Sequence, residues 1–523
     1  MRPNSSTSRN EYDKVKHKTT ACSHLKISRF AAIWLLPVLA AAVLYSIVIT
    51  NNLFGDEFDQ YKFSVIRKPR FGMSTTLDVH TQLGRLGHMI VREPWGIRLY
   101  SAVCALGSIV LLGKFSEKFL SPRSAILTMW IAALSPLLVE FGAEARPNAI
   151  FVFAGTLFLY AIVTFTENES WPNLALVLFS VCFGLLSRQM FVAVLFFGLA
   201  YYALKRRRIT LKLLLICLVS LPLIARLAYR MTIYSNFAPK ESAQSSVSLL
   251  STLSRIPIAF SFGFTTLQYP ERDVNFNVSI IETVSQNILP VLAILVVFSG
   301  LLIGFICYLR KNRKDACFLA GAITLPIMIL IIVQETGFSI LLAKHCAGVL
   351  GVYYILIAAI ATQLFEYKWG KVVVILYFCI TGLSLYHFYF QPEIYSRRSN
   401  LVALNKEIQN TLRDEDHVMV YYIPKDIEPN YVTSLAQAEN LVSLRDDLPI
   451  GLTLDEYVRD VHSKCTGKIL LIDSVMTRRI VDPNGCVLSV LKENRHHILK
   501  RYGRNLSLHV FTAATSRADP GSS

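Results

Sequence analysis

Charge is scarce in this chain: Asp, Glu, Lys and Arg supply only 17% of its 523 residues, where soluble domains carry about 25%. A composition that poor in charge excludes an ordinary water-soluble fold. Metal signatures are absent too. There is no CxxC or HExxH, and His496 and His497 in "NRHHILK" lack partner ligands at metal-site spacing. No glycine-rich phosphate loop follows a strand-like stretch, so no nucleotide site is assigned. Of the ten cysteines, Cys104, Cys182, Cys217, Cys307, Cys317, Cys346 and Cys379 fall within apolar runs, where a thiol behaves as a small hydrophobe. Cys465 and Cys486, in the polar tail, are the one pair suited to a disulfide.

What the chain does have is long apolar runs. Hydrophobic residues make up 53%, and stretches of roughly 18–25 residues recur, each long enough to cross a hydrocarbon core of about 30 Å. They lie near 30–50, 97–114, 123–140, 148–166, 172–187, 190–204, 211–229, 286–309, 316–334, 339–364 and 372–390. These eleven expected spans define a polytopic α-helical membrane protein. The first is too long, and its polar lead too extended, for a cleaved signal peptide. The net charge of +17 sits in short loops and tails flanking the spans, which reads as membrane orientation rather than nucleic-acid binding. Lys14 to Arg29, Lys114 to Arg123, "KRRR" at 205–208, "RKNRK" at 310–314 and Lys368 with Lys371 all fall on one side of an eleven-span count. The expected organisation is a cytoplasmic basic tail (1–29), a membrane domain (30–391) with extracytoplasmic loops 51–96 and 230–285, and an extracytoplasmic soluble domain (392–523). "TENESWPN" (166–173) is the exception, a cytoplasmic loop without Lys or Arg.

Within the first long loop, Leu83, Leu86, Met89 and Ile90 recur at helical spacing, which predicts a helix lying in the interface. The second loop opens polar and turns aromatic, as if to fold back on the membrane surface. Beyond residue 392, "HVMVYYI" (417–423), "KILLID" (468–473) and "LSLHVF" (506–511) read as buried strands. Helical segments between them, near 400–412, 430–439 and 454–462, complete a small α/β domain.

Charge placed next to hydrocarbon is costly, so ionisable groups at span ends are functional candidates. In "TNNLFGDEFDQY", Asp56 and Glu57 follow the first span directly. On the same expected side lie Arg98, one turn into the second span; Glu144, Arg146 and Pro147 in "EFGAEARPNA"; Arg188 between the fifth and sixth spans; and Lys344 with His345 in "LLAKHCAG". A lipid-phosphate-linked sugar would rest its phosphate on such cations while its polyprenyl tail stays in the bilayer. The cations neutralise charge on the departing phosphate. A positioned carboxylate deprotonates the acceptor, and attack opposite the leaving group inverts the anomeric centre.

At these residues the chain resembles a known family. "FGDEFDQY", "DVHTQL", "EPWGIRLYSAVCALGSIVLL" and "LSPLLVEFGAEARPNAIFVFA" follow the order and spacing of the GT-C membrane glycosyltransferases. The nearest branch is the dolichyl/polyprenyl-phosphate-sugar transferases, which includes protein O-mannosyltransferases and lipid A aminoarabinose transferases. The resemblance is continuous over about residues 30–205 and thinner to 390. It implies an inverting transfer from a polyprenyl-phosphate sugar to an extracytoplasmic acceptor, with Asp56 as base and Glu57 as its neighbouring acid. It further implies donor-phosphate contacts from Arg98, Arg146 and Lys344, and support from Glu144, Pro147 and His80; Arg188 joins the phosphate-binding cations by its placement alone. Relatives read His-Pro-Pro near His80, where this chain has His80-Thr81-Gln82. The lumenal β-trefoil insert of protein O-mannosyltransferases is missing from the 230–285 loop, which points to an enzyme of the bacterial plasma membrane. No cofactor is required, although Asp56 and Glu57 are also the right chemistry for a divalent cation. The rival readings are a multi-span transporter and an envelope-glycan ligase or polymerase.

Overall fold

The computed structural model describes residues 33–49, 79–207, 210–237, 249–267, 280–335 and 343–391. In the C-terminal part it describes 407–408, 410–411, 416–420, 441–444, 448–449, 452–465, 467–474, 482, 485–493, 495–501 and 506–513. Helix α1 (Ile33–Ile49) is the first apolar run. Helix α2 (Val79–Val91) is the expected interface helix: Leu86, Met89 and Ile90 are exposed, while Thr81, Gly84 and Gly87 form its buried side. A Cβ at Gly87 would stand 2.3 Å from the Gly96 carbonyl oxygen, so only glycine lets α2 lie on the 3-10 turn Pro94–Arg98. That leaves the apolar face of α2 outward, as an interfacial helix requires.

Helix α3 (Leu99–Ser116) continues from this turn. The third expected span is not one rod: α4 (Pro122–Ala133) and α5 (Pro136–Gly142) meet at 62°. The cause is legible in "LSP". Ser135 is extended before Pro136 and its hydroxyl caps Leu138 N–H, as Ser121 caps Ser124 N–H at the start of α4. The bundle continues with α6 (Asn148–Glu167), α7 (Trp171–Ser187), α8 (Phe191–Arg206), α9 (Leu211–Phe237), α10 (Leu249–Phe262), α11 (Ile280–Gln286), α12 (Ile288–Lys311) and α13 (Arg313–Glu335). Two 3-10 turns, Ala343–His345 and Ala347–Val349, lead into α14 (Leu350–Leu364), and α15 (Lys368–Phe390) closes it. Among the described residues seven helices are long and apolar enough to span a membrane, or eight with the bent pair.

One end of the bundle gathers the basic loops through ion pairs. Lys118 meets Glu167 at 2.5 Å, Arg206 meets Glu169 at 2.9 Å and Lys311 meets Glu366 at 2.7 Å. Phe318 of α13 stacks on Phe119 and meets Tyr201, which joins these loops to one another. The acidic "TENES" loop thus has its physical reason: its two glutamates take cationic partners from neighbouring loops.

The second long loop packs into the bundle more deeply than a surface flap. Helix α10 ends at Gly263, whose φ of +74° suits glycine, against Pro136 of α5. Ser261 shares a 2.5 Å hydrogen bond with Tyr353, and Thr265 donates to the Ser384 carbonyl at 2.9 Å. Ser135 pairs with Tyr354 at 2.5 Å, and Tyr389 donates to the Leu44 carbonyl at 2.7 Å. Buried hydroxyls therefore tie α1, α5, α10, α14 and α15 together, and a buried polar group left unmade is expensive. Gly155 of α6 lies against the Gly348 carbonyl, where a Cβ would approach to 2.0 Å; this seats the two 3-10 turns on α6.

The C-terminal sheet has the order β2-β1-β3-β5-β4, from β1 (His417–Val420), β2 (Leu441–Ser443), β3 (Ile469–Ser474), β4 (Arg495–Arg501) and β5 (Leu506–Ala513). β1 is parallel to β2 and β3, whereas β5 is antiparallel to β3 and β4. β1, β3 and β5 coincide with the expected strands. α16 (Leu454–Lys464) opens on a capping box of Thr453 and Glu456. Of the segment near 400–412 only parts are described, and 430–439 lies outside the described residues. Helix α17 (Cys486–Lys492) is held by Asp482, which accepts from the N–H groups of Cys486 and Val487. Cys465 and Cys486 are not bridged; the Cys465 thiol faces the carbonyls of Gly467 and Lys468 instead.

Replacing Gly155 by Ala is expected to lower stability by about 1–3 kcal/mol, the usual cost of overpacking, read as a reduced melting temperature in detergent. Unchanged melting would contradict the close approach of α6 to the 3-10 turns.

Candidate active site

Arg98 is completely buried. Its Nη1 donates to the carbonyls of Ile49 at 2.9 Å and Val48 at 3.4 Å. Buried among apolar helices, the guanidinium finds acceptors there and ties α1 at Val48 and Ile49 to the head of α3; Ile49 lies seven residues before Asp56 in the chain. Asp56 and Glu57 themselves lie outside the described residues.

The second cationic group is built from two helix junctions. Ser101, in the first turn of α3, donates to the Arg146 carbonyl at 3.5 Å. Glu144 is buried in the turn between α5 and α6, and Pro147 is the N-cap residue of α6. Arg188 ends α7 in an extended conformation. Its guanidinium donates to Asn148 Oδ1 and stands 5.8 Å from the centre of the Phe151 ring. Burial first, and the like charge of Arg146 second, push Arg188 down to about 10, so it stays cationic at neutral pH.

Lys344 and His345 lie half-buried on the 3-10 turn Ala343–His345, and the adjoining Cys346 is within electrostatic reach of Arg188. Phe151, Met190, Val194 and Val349 close the apolar floor beside Cys346. His80 sits on the first turn of α2, half-buried. The structure thus brings Arg146, Arg188 and the turn carrying Lys344 to one place, while Arg98 works at the mouth of α1. Sequence reading did not single out Asn148 and Phe151. Their signal was there: a polar residue directly after Arg-Pro at the head of an apolar helix, and an aromatic on the next turn.

Arg146 and Arg188 carry like charge, close enough for Arg188 to feel it. With the N-terminus of α6 adding its positive end, the arrangement suits a phosphate or diphosphate. Among the described residues no group of three or more His, Cys, Asp or Glu side chains could hold a metal ion.

The fold and this cationic cluster define a class: a polytopic helical membrane protein with cations gathered at the helix ends opposite its ion-paired loops. Residues 82–229 match the profile of the dolichyl-phosphate-mannose-protein mannosyltransferase family. The fold is that of ArnT from Cupriavidus metallidurans in the apo state, at 11% identity and a TM-score of 0.50, covering 94% of this chain and 98% of that one. The same protein bound to undecaprenyl phosphate matches at 12% identity and a TM-score of 0.48, over 93% of this chain and 99% of that one. The archaeal oligosaccharyltransferase AglB from Archaeoglobus fulgidus, in complex with an inhibitory peptide and a dolichol-phosphate, matches at 11% identity and a TM-score of 0.45. That match covers 95% of this chain and 75% of AglB. No curated protein sequence matches. The chain resembles the GT-C membrane glycosyltransferases, in fold along most of its length and in sequence over residues 82–229.

Replacing Arg98 by Gln removes the donor shared by the Val48 and Ile49 carbonyls, so a loss of about 1–3 kcal/mol in stability is expected, the cost of buried unsatisfied groups. Thermal unfolding in detergent reads it. A variant as stable as the parent would show that the packing of α1 does not depend on this side chain.

Proposed function

We propose that this protein is an inverting glycosyltransferase of the bacterial plasma membrane, moving a sugar from a polyprenyl-phosphate donor to an extracytoplasmic acceptor. The observation that carries the reading is the Arg146–Arg188 pair at the head of α6, a preorganised site for the phosphate that leaves. The family description over residues 82–229, a transferase using a dolichyl-phosphate sugar, supports the same donor class.

Arg146 and Arg188 hold the donor phosphate, and Lys344 adds a third charge from the turn seated on α6. Preorganised cations stabilise charge developing on the leaving phosphate without reorganising during reaction. Asn148 positions Arg188. Arg98 joins α1 to the head of α3 and supports the donor site from there. Asp56 takes the acceptor proton, Glu57 orients Asp56, and the acceptor oxygen or nitrogen attacks the anomeric carbon as its bond to phosphate breaks. Glu144, Pro147 and His80 shape the surrounding turns. Residues 392–523 are assigned as an extracytoplasmic domain. The collection of the cations at one set of helix ends favours this reading over a transporter, whose site belongs near the bilayer midplane.

Sugar transfer by purified protein from a polyprenyl-phosphate sugar tests the assignment. Asp56→Asn is expected to slow turnover by about 10²–10⁴-fold, the usual weight of a general base, with donor binding retained. Glu57→Gln is expected to be milder. Near-normal turnover of Asp56→Asn would remove the base assignment, and activity lost to a chelator would make the acidic pair metal ligands.

A further inference from the structure

The ion-paired end of the bundle holds a feature that glycosyl transfer does not use. Between α7 and α9 lies an open cavity of about 850 Å³, within the roughly 300–1,000 Å³ of ligand sites. Its two ends differ in chemistry. Along α9, Leu211, Leu214, Leu218 and Leu221 are each more than half exposed, and Leu215 with Cys217 completes the apolar trough. Only 22% of the apolar window of α9 is buried inside the protein, so this helix runs along the lipid.

The other end is polar. Trp171 is 69% exposed, and Lys212 Nζ stands 5.5 Å from its ring and 5.9 Å from that of Phe165. Lys212 donates to the main-chain carbonyl of Glu169, not to its carboxylate. That carboxylate is already occupied, by Arg206 at 2.9 Å and by the Tyr202 hydroxyl at 2.8 Å. The charge of Glu169 is thereby cancelled and that of Lys212 is not. Exposed Arg207 follows directly after α8, five residues before Lys212 in the chain. The head of the trough is net positive, with a tryptophan at the level where interfacial aromatics sit.

We propose that this groove binds an anionic phospholipid. The headgroup phosphate lies on Lys212, and one acyl chain follows the leucines of α9. Charge complementarity selects the ligand: a neutral lipid leaves Lys212 unused, and a soluble anion leaves the apolar trough wet. The trough is open along its length, which leaves a second acyl chain free to lie outside on the exposed leucines. The proposal stands independently of the transferase reading, because none of its residues belongs to the phosphate site at the other end.

Trp171 is the reporter. The full chain is placed in phosphatidylcholine vesicles carrying a minor fraction of phosphatidylglycerol brominated in its acyl chains, or of phosphatidylcholine brominated likewise. Subtracting the Trp171→Phe signal isolates this residue from the other tryptophans. Brominated phosphatidylglycerol is expected to quench Trp171 at about fivefold lower fraction than brominated phosphatidylcholine, the weight of one basic residue near an anionic headgroup. Lys212→Gln is expected to abolish that preference and Lys212→Arg to keep it, which separates loss of the charge from misfolding. Equal quenching by the two lipids, or an unchanged preference in Lys212→Gln, would overturn the proposal. So would displacement of the brominated lipid by polyprenyl phosphate at lower fraction than by phosphatidylglycerol, which would assign the groove to a single-chain carrier.

Discussion

The guanidinium of Arg98 on the carbonyls of Val48 and Ile49 is the contact on which the organisation of this bundle turns. A charge buried completely among apolar helices persists only if its donors meet acceptors. The contact locks α1 to the start of α3, and α3 in turn reaches the Arg146 turn through Ser101. The candidate site is assembled along this line.

The two ends of the bundle treat charge differently. At one end, cations from loops meet carboxylates from neighbouring loops, as in Lys118–Glu167 and Arg206–Glu169. Exposed pairs of this kind contribute little stability, but they explain how an acidic loop coexists with basic neighbours. At the other end, Arg188 is directed at a neutral amide and an aromatic ring, close enough to Arg146 to feel its charge. Two arginines this near each other raise the positive potential at the head of α6, which attracts anions.

Much of this was legible in the residues. Apolar runs marked the helices, and "LSP" held the break between α4 and α5, although hydropathy alone read one span there. The cations at span ends were visible as charge beside hydrocarbon. That Arg98 would turn toward α1 was not, because a hydrogen bond across 49 residues leaves no local pattern. Strand β4 escaped because "RHHILKR" is too polar to read as buried, and β2 because three residues carry no period. Asn148 was hidden by its apolar surroundings, and the acidic pair at Asp56 rests on sequence alone.

The central claim is that Arg146 and Arg188 act together as the seat of a lipid phosphate. A double-mutant cycle on polyprenyl phosphate binding, with Arg146→Gln, Arg188→Gln and the pair, tests it most directly. Residues that share one ligand charge are coupled rather than additive. The account predicts that each single variant weakens binding strongly and that the double variant binds little worse than either. Binding at parental affinity in both single variants would contradict it.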